Sequence, residues 1–256
     1  MQEFKSGFVT MIGRTNVGKS TLINLLVGEK IAAIANKVQT TRTAIKGIIN
    51  TPNSQIIITD TPGIHKPKHK LNETMIETNK IDLIKKEELL NLIDIYRKEY
   101  NFEAIIPISA LKSKYREIII KEIEKNLNKG PAYYDIEEYT DQTLRQLAEE
   151  TIREKALKLL QDEVPHGIYV EVEKMKLRKN KKNEDIYDIE ATIYCIRESH
   201  KGIIIGKNGE MLKKIGRMAR IDMEENFGIK VNLKTWVKTK ENWLDNANIV
   251  DKFKLK

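Results

Sequence analysis

The chain of 256 residues contains one cysteine, Cys195, so it can form neither an internal disulfide nor a cysteine-based metal cluster. The neighbours Tyr194 and Ile196 make Cys195 read as a buried strand thiol in a reduced compartment. The histidines His166 and His200 stand apart from any metal-ligand or catalytic pattern. No uninterrupted apolar run reaches the ~18 residues that a membrane span needs. Residues 1–7 lack the apolar stretch of a secretory signal, and the expected location is therefore cytoplasmic. Internal repeats and low-complexity tracts are also missing. Hydrophobic residues make up 40% of the chain, enough for two ordinary cores and too many for disorder.

The formal charge of +8 admits a polyanionic partner, although solvated lysines on helices would give the same total. Its distribution is more informative. Residues 1–131 hold 21 Lys and Arg against 14 Asp and Glu, and residues 132–256 hold 24 against 23. Within the nearly neutral second half, residues 201–234 carry eight basic and four acidic side chains. The excess there is local.

The first half alternates β-rich runs with helical stretches, as in a mostly parallel sheet flanked by helices. The pattern predicts strands over 8–12, 45–49, 56–59 and 104–108, and helices over 19–27, 85–100 and 115–127. Gly130-Pro131 closes this domain, and residues 132–142 read as an acidic linker. A smaller α+β domain over 143–256 follows. It is expected to hold a long helix over 143–161, strands over 167–177 and 186–196, two helices flanking 206–209, and a last strand over 230–237. Trp236 and Trp243 read as core anchors rather than base-stacking platforms.

Gly13-Arg14-Thr15-Asn16-Val17-Gly18-Lys19-Ser20 follows a strand and opens a helix, the context that a phosphate-binding loop requires. Its glycines let successive backbone N–H groups turn toward phosphate oxygens. Lys19 supplies positive charge, the Ser20 hydroxyl can hold Mg²⁺, and Thr21 continues the first turn. Asp60-Thr61-Pro62-Gly63 ends another strand, placing Asp60 to hold Mg²⁺ through water and the Gly63 amide to reach a γ-phosphate. In Asn79-Lys80-Ile81-Asp82 the carboxylate can accept two hydrogen bonds from guanine, a donor pair that adenine does not offer. Backbone amides of Ser109-Ala110-Leu111 can meet the guanine oxygen. Four such motifs in order, each at a strand end, predict GTP and GDP as ligands. Thr41, with Thr40 as the alternative, is the expected switch hydroxyl for Mg²⁺. Asn16, Lys19 and Thr41 are the expected catalytic residues. Many switch GTPases carry glutamine after the Asp-x-x-Gly motif, whereas this chain has Ile64, so a slow intrinsic rate is expected. Asn16 is the candidate to hold K⁺ beside the phosphates in compensation.

In the second half, Gly206-Lys207-Asn208-Gly209 joins two helical segments behind the apolar run 203–205. A Gly-x-x-Gly turn lets backbone press close to a nucleic-acid chain, as in KH domains. Lys213, Lys214, Arg217 and Arg220 extend the candidate RNA surface.

The phosphate loop, Gln39-Thr40-Thr41-Arg42, the run from Asp60 to Pro67, Asn79 to Asp82, and Ile204 to Gly209 followed by Leu212-Lys213 and Ile215-Gly216 together resemble the Era family of bacterial ribosome-assembly GTPases. The resemblance covers nearly the whole chain. It implies a P-loop GTPase domain followed by a KH domain. It also implies binding near the 3′ end of small-subunit ribosomal RNA under GTP control, partnership with the small ribosomal subunit, and action as a monomer. Peripheral association with the inner face of the membrane is implied for some members. A GTPase of the MnmE or double-GTPase type fits less well, because these residues hold one set of GTP motifs and a Gly-x-x-Gly turn. An RNA-binding protein with GTP as a non-hydrolysed ligand is the rival outside that enzyme class.

One spacing departs from the pattern. Only 15 residues separate Gly63 from Asn79, where the fold needs two helices and two strands, roughly 45 residues with connections. The reading adopted is that residues have been left out between Met75 and Thr78, since deletion from mid-sheet would leave the neighbouring strands without partners. A break in the chain between Lys70 and Asn79 is the corresponding expectation.

Overall fold

The protein is described by a computed structural model over residues 3–13, 16–34, 45–60, 79–161, 164–241 and 243. It divides into two compact units, residues 1–32 with 44–141, and residues 33–43 with 142–256.

In the first unit β1 (Lys5–Met11), α1 (Lys19–Val27), β2 (Ile45–Asn50) and β3 (Ser54–Asp60) are followed by α2 (Lys86–Glu99), α3 (Arg116–Lys125) and the short β4 (Asn128–Lys129). The sheet order is β2-β3-β1-β4. β1 and β3 run parallel with Phe8 opposite Ile57, while β2–β3 and β1–β4 are antiparallel, so the sheet is mixed. Ile56, Ile57 and Ile58 are buried as a continuous run, as expected of a strand covered on both faces. Ile23 and Leu26 of α1 are buried with them in this unit's core. A Cβ at Gly47 would stand 2.5 Å from Cγ2 of Val27, so β2 carries a glycine where α1 comes closest. Gly28, at φ 90°, stops α1 and donates its N–H to the Asn24 carbonyl.

Two expectations for this unit need correction. Residues 104–108 form no strand, although the Ile108 carbonyl accepts the Ile81 amide at 3.1 Å. Among the described residues the second edge of β1 is paired only at Lys5 and Ser6, and Phe8 is 60% exposed. A β-rich run becomes a strand only beside a partner, and among the described residues the run 104–108 has none. Residues 61–78, including the expected break, lie outside the described residues.

The second correction concerns residues 132–142. The linker is not detached from the unit: most of it is bound along β2 and the start of β3. Gln55 Oε1 accepts the amides of Tyr133 and Tyr134 at 2.6 and 2.9 Å. Asn50 Nδ2 donates to the Ile136 carbonyl, the Ile48 amide to Tyr139, and the Thr140 hydroxyl to Lys46. The unit boundary falls after Asp141.

The second unit runs α4 (Leu144–Leu159), β5 (Tyr169–Lys179), β6 (Asp185–Cys195), α5 (Glu198–Ile205), α6 (Glu210–Phe227) and β7 (Lys230–Thr239). β6 is central, antiparallel to β5 and parallel to β7. Thr143 caps α4 reciprocally with Gln146, a box whose hydroxyl contributes about 1 kcal/mol. Ile152 and Ala156 of α4, Ile189, Ala191 and Ile193 of β6, Ile204 of α5, and Ile215, Ala219 and Met223 of α6 form one core. Cys195 lies in it as expected, and burial pushes its thiol pKa up. The two tryptophans diverge. Trp243 is 1% exposed and donates Nε1–H to the Gly167 carbonyl, whereas Trp236 is 43% exposed on the sheet face away from that core.

Candidate functional site

The phosphate loop is strained in the places its sequence allows. Asn16 adopts φ 64° and Gly18 φ 94°, conformations open to asparagine and glycine at low cost. α1 begins at Lys19 with neither a capping side chain nor an acidic residue in its first turn. Its N-terminal amides and positive dipole end therefore face no carboxylate of their own turn, which suits a phosphate. Lys19 Nζ reaches back across the loop to the Gly13 carbonyl at 2.9 Å. Ser20 and Thr21 occupy the first turn, and Asp60 sits at the end of β3, opposite Met11 in register.

Asn79 ties three segments together. Its Nδ2 donates to the Val17 carbonyl at 2.7 Å, while Oδ1 accepts the amides of Lys80 at 2.8 Å and Ala110 at 3.1 Å. A Cβ at Gly18 would lie 2.5 Å from that Nδ2, which explains glycine there. Lys80, at φ 67°, donates from Nζ to the Asn16 carbonyl at 3.1 Å. Asp82 is exposed in a short 3₁₀ turn. The Ser109 hydroxyl is buried without a hydrogen bond of full geometry among the described residues. It is nevertheless the main influence holding the Asp82 carboxyl below the usual carboxylate range, with Lys112 and Lys80 adding smaller contributions. Leu111 follows in the same turn with its side chain exposed.

Asn16, Val17, Asn79, Lys80 and Ala110 are thus connected by hydrogen bonds, Gly18 packs against Asn79, Lys19 is bonded separately to Gly13, and Asp82 and Ser109 lie in the same segments as Lys80 and Ala110. Arg14, Thr15, Thr40, Thr41 and Gly63 lie outside the described residues. The residue types suit Mg²⁺ with a nucleotide: Ser20 and Asp60 are a hydroxyl and a carboxylate residue, the oxygen-donor types that a hard cation takes. Among the described residues no group of three or more His, Cys, Asp or Glu could hold a metal by itself. Asn24 was not singled out by its sequence. Its side chain makes three hydrogen bonds to the backbone of Ile31 and Ala32, folding back the loop that follows α1. The available signal was a polar residue set between the apolar Ile23 and Leu25.

In the second unit Gly206, Asn208 and Gly209 all have positive φ, at 71°, 52° and 77°. Lys207 and Asn208 are exposed at the turn, and Lys213, Lys214 and Arg217 are exposed on α6. Arg220 differs from these. It pairs with Glu224 at 3.2 Å, so its charge is partly engaged within α6.

Family models for a 50S ribosome-binding GTPase and for a KH domain match residues 8–132 and 163–244. GTPase Era of Thermoanaerobacter sp. (strain X514) is 45% identical, with the match covering 97% of this chain and 95% of that protein. This chain belongs to the Era family of GTPases. Era of Clostridioides difficile (strain 630) is also 45% identical, covering 98% of each chain. Among solved structures, Era in complex with MgGDPNP and nucleotides 1506–1542 of 16S ribosomal RNA superimposes with a TM-score of 0.87 at 35% identity, covering 98% of this chain and 99% of that one. A single-residue variant of Aquifex aeolicus Era bound to GDP·AlF₄⁻ gives 0.87 at 34%, with the same coverage. The alignment with the Thermoanaerobacter Era spans 291 positions against 256 residues here, so some tens of its positions have no counterpart in this chain.

Proposed function

We propose that this chain is a GTP-hydrolysing switch that binds 16S ribosomal RNA near its 3′ end through its KH unit and assists small-subunit assembly. The observation that carries this reading is the Asn79 junction. One side chain joins the phosphate loop, the base-selecting segment and the 109–111 turn, so the GTP motifs form one site. The RNA arm is supported by the exposed Gly206–Gly209 turn and by the relative solved with a 16S fragment.

In this reading the amides of residues 13–18 and the Lys19 ammonium hold the phosphates, and Asp82, Ser109, Ala110 and Leu111 select guanine. Ser20 and Thr41 hold Mg²⁺ directly and Asp60 holds it through water; the ion supplies charge neutralisation at the phosphates. Arg14, Thr15 and Gly63 complete the phosphate contacts. Ile64 can neither donate nor accept a hydrogen bond, so slow hydrolysis is expected. Asn16 is the candidate K⁺ ligand. RNA is held by Gly206, Lys207, Asn208, Gly209, Lys213, Lys214, Arg217 and, once released from Glu224, Arg220. The chain acts as a monomer in the cytoplasm. Any membrane association would be peripheral, since no described helix is long and apolar enough to cross a bilayer. The residues that the Thermoanaerobacter Era carries in addition fall between Met75 and Thr78.

Multiple-turnover phosphate release in K⁺ and in Na⁺ at equal ionic strength tests the nucleotide arm. Faster release in K⁺, with the difference erased by Asn16→Ala, is expected. No turnover in either salt would refute the switch, and equal rates would remove the K⁺ role. Replacing Lys207 and Asn208 by aspartates tests the RNA arm. Binding to a 16S fragment of nucleotides 1506–1542 should disappear while GTP binding persists, because added negative charge meets phosphate at close range.

A further inference from the structure

The described residues Ala33 and Ile34, which precede Thr40 and Thr41 in sequence, belong to the second unit. Inside that unit the Ile34 amide donates to Oε2 of Glu154 at 3.3 Å. Glu154, on α4, is 1% exposed. Its Oε1 accepts from Lys158 at 2.6 Å and from Lys155 at 3.3 Å. Lys155 is also buried, and its ammonium pairs in addition with Asp222 on α6. α6 is the helix that presents Lys213, Lys214 and Arg217.

A carboxylate this deeply buried persists only when both oxygens are satisfied by donors. Here Oε1 faces two lysines of its own helix, while Oε2 takes a backbone amide from a segment far away in sequence. Lys155 in turn divides its charge between Glu154 and Asp222. Moving the Ile34 amide changes how strongly Glu154 is satisfied, and hence how Lys155 is shared with α6. A backbone amide, unlike a side chain, cannot swing away unless its segment moves. The contact therefore reports the position of that segment.

We propose that Glu154 is a positioning residue through which the segment leading to the switch threonines acts on the RNA-binding helix α6. The proposal rests on the switch reading above and adds the residues that connect its two halves. Coupling requires that the two nucleotide states place the Ile34 amide differently relative to Oε2. The relay then runs from the Ile34 amide to Glu154, Lys155 and Asp222.

The test measures affinity for the 16S fragment of nucleotides 1506–1542 with the full chain loaded either with a non-hydrolysable GTP analogue or with GDP. The wild-type ratio of the two affinities is expected at about tenfold, within the ordinary range of coupling between sites. Glu154→Gln keeps one acceptor oxygen but places an N–H₂ where the other stood, so it cannot serve both the amide and the lysines. It should bring the ratio below about twofold, the level at which coupling is effectively lost, with GTP-analogue affinity unchanged. Asp222→Asn, at the partly exposed end of the relay, should do the same and keeps the test decisive if the first variant folds poorly. A merely structural role would lower both RNA affinities together and leave the ratio intact. Variants that fold and retain the wild-type ratio overturn this proposal alone. A wild-type ratio of one would overturn the switch reading, and this proposal with it.

Discussion

Asn79 and Asp82 stand three positions apart and do different work. The asparagine amide has both donors and acceptors, and it uses them on Val17, Lys80 and Ala110 to assemble the site. The carboxylate of Asp82 remains exposed, with acceptors able to meet a base that offers two N–H groups. Asp82→Asn is therefore expected to shift preference from guanosine to xanthosine nucleotides. The new amide presents an N–H where xanthine has a carbonyl and guanine has an amine. Competition binding with GTP and XTP checks this, and undiminished GTP affinity in the variant would remove Asp82 from the base site. The lowered pKa of Asp82 adds a pH expectation with a definite sign. A carboxyl held below its ordinary value stays ionised as pH falls, so guanine selectivity should persist from about pH 8 down to about pH 4, where an ordinary aspartate would be half protonated. A selectivity loss centred near the ordinary carboxylate range would contradict it.

At the scale of elements, the turn between α5 and α6 contains two glycines at positive φ, of which the first has packing as a second reason to be glycine. A Cβ at Gly206 would meet the Met211 Cβ at 2.7 Å and its amide nitrogen at 3.0 Å, so packing at the start of α6 forbids a side chain there. At Gly209 nothing lies within 4 Å, and only the positive φ resists substitution. Gly206→Ala is expected to destabilise the second unit by about 2 kcal/mol or more through overpacking. Gly209→Ala should cost only about 1 kcal/mol of backbone strain. It should nevertheless weaken RNA binding sharply, because the new methyl fills the space where a sugar-phosphate chain would press. Thermal unfolding beside RNA titration separates the two effects, and a Gly209→Ala protein with wild-type affinity would show that the open space is unused. These elements were largely legible beforehand. The helix over 19–27 matches its observed bounds, and β1, β2, β3, β5, β6 and β7 fall within a few residues of their expected ends, whereas the two-residue β4 was not expected. Residues 104–108 and 132–142 were not legible, since a strand depends on a neighbour and a segment's docking depends on a surface such as Gln55. Asn79 was legible as a member of its motif but not as the tie to Val17, and Asn24 and Glu154 act through backbone groups that no local pattern reveals.

For the molecule as a whole, among the described residues the first unit has a sheet whose β1 has an unpaired stretch on one edge and a run, 104–108, that joins no strand, while the second unit has a central strand paired along both sides. Unpaired strand edges and an exposed Phe8 reduce what that sheet can bury, and the spacing between Gly63 and Asn79 leaves too little chain to supply another strand pair. Two units of unequal completeness should not melt together. Scanning calorimetry of this chain is expected to show two transitions, the lower belonging to the first unit and raised by GDP with Mg²⁺, since a ligand stabilises only the fold that binds it. A chain carrying the corresponding residues of the Thermoanaerobacter Era between Met75 and Thr78 should raise the lower transition and leave the upper one in place. The same insertion should protect from hydrogen exchange the amides of residues 7–11 that face away from β3, and those of Ala104, Ile105, Ile106 and Ile108, because strand pairing would engage them. If the insertion leaves the lower transition and those amides unchanged, the missing partners lie elsewhere in the chain and the short spacing has another cause.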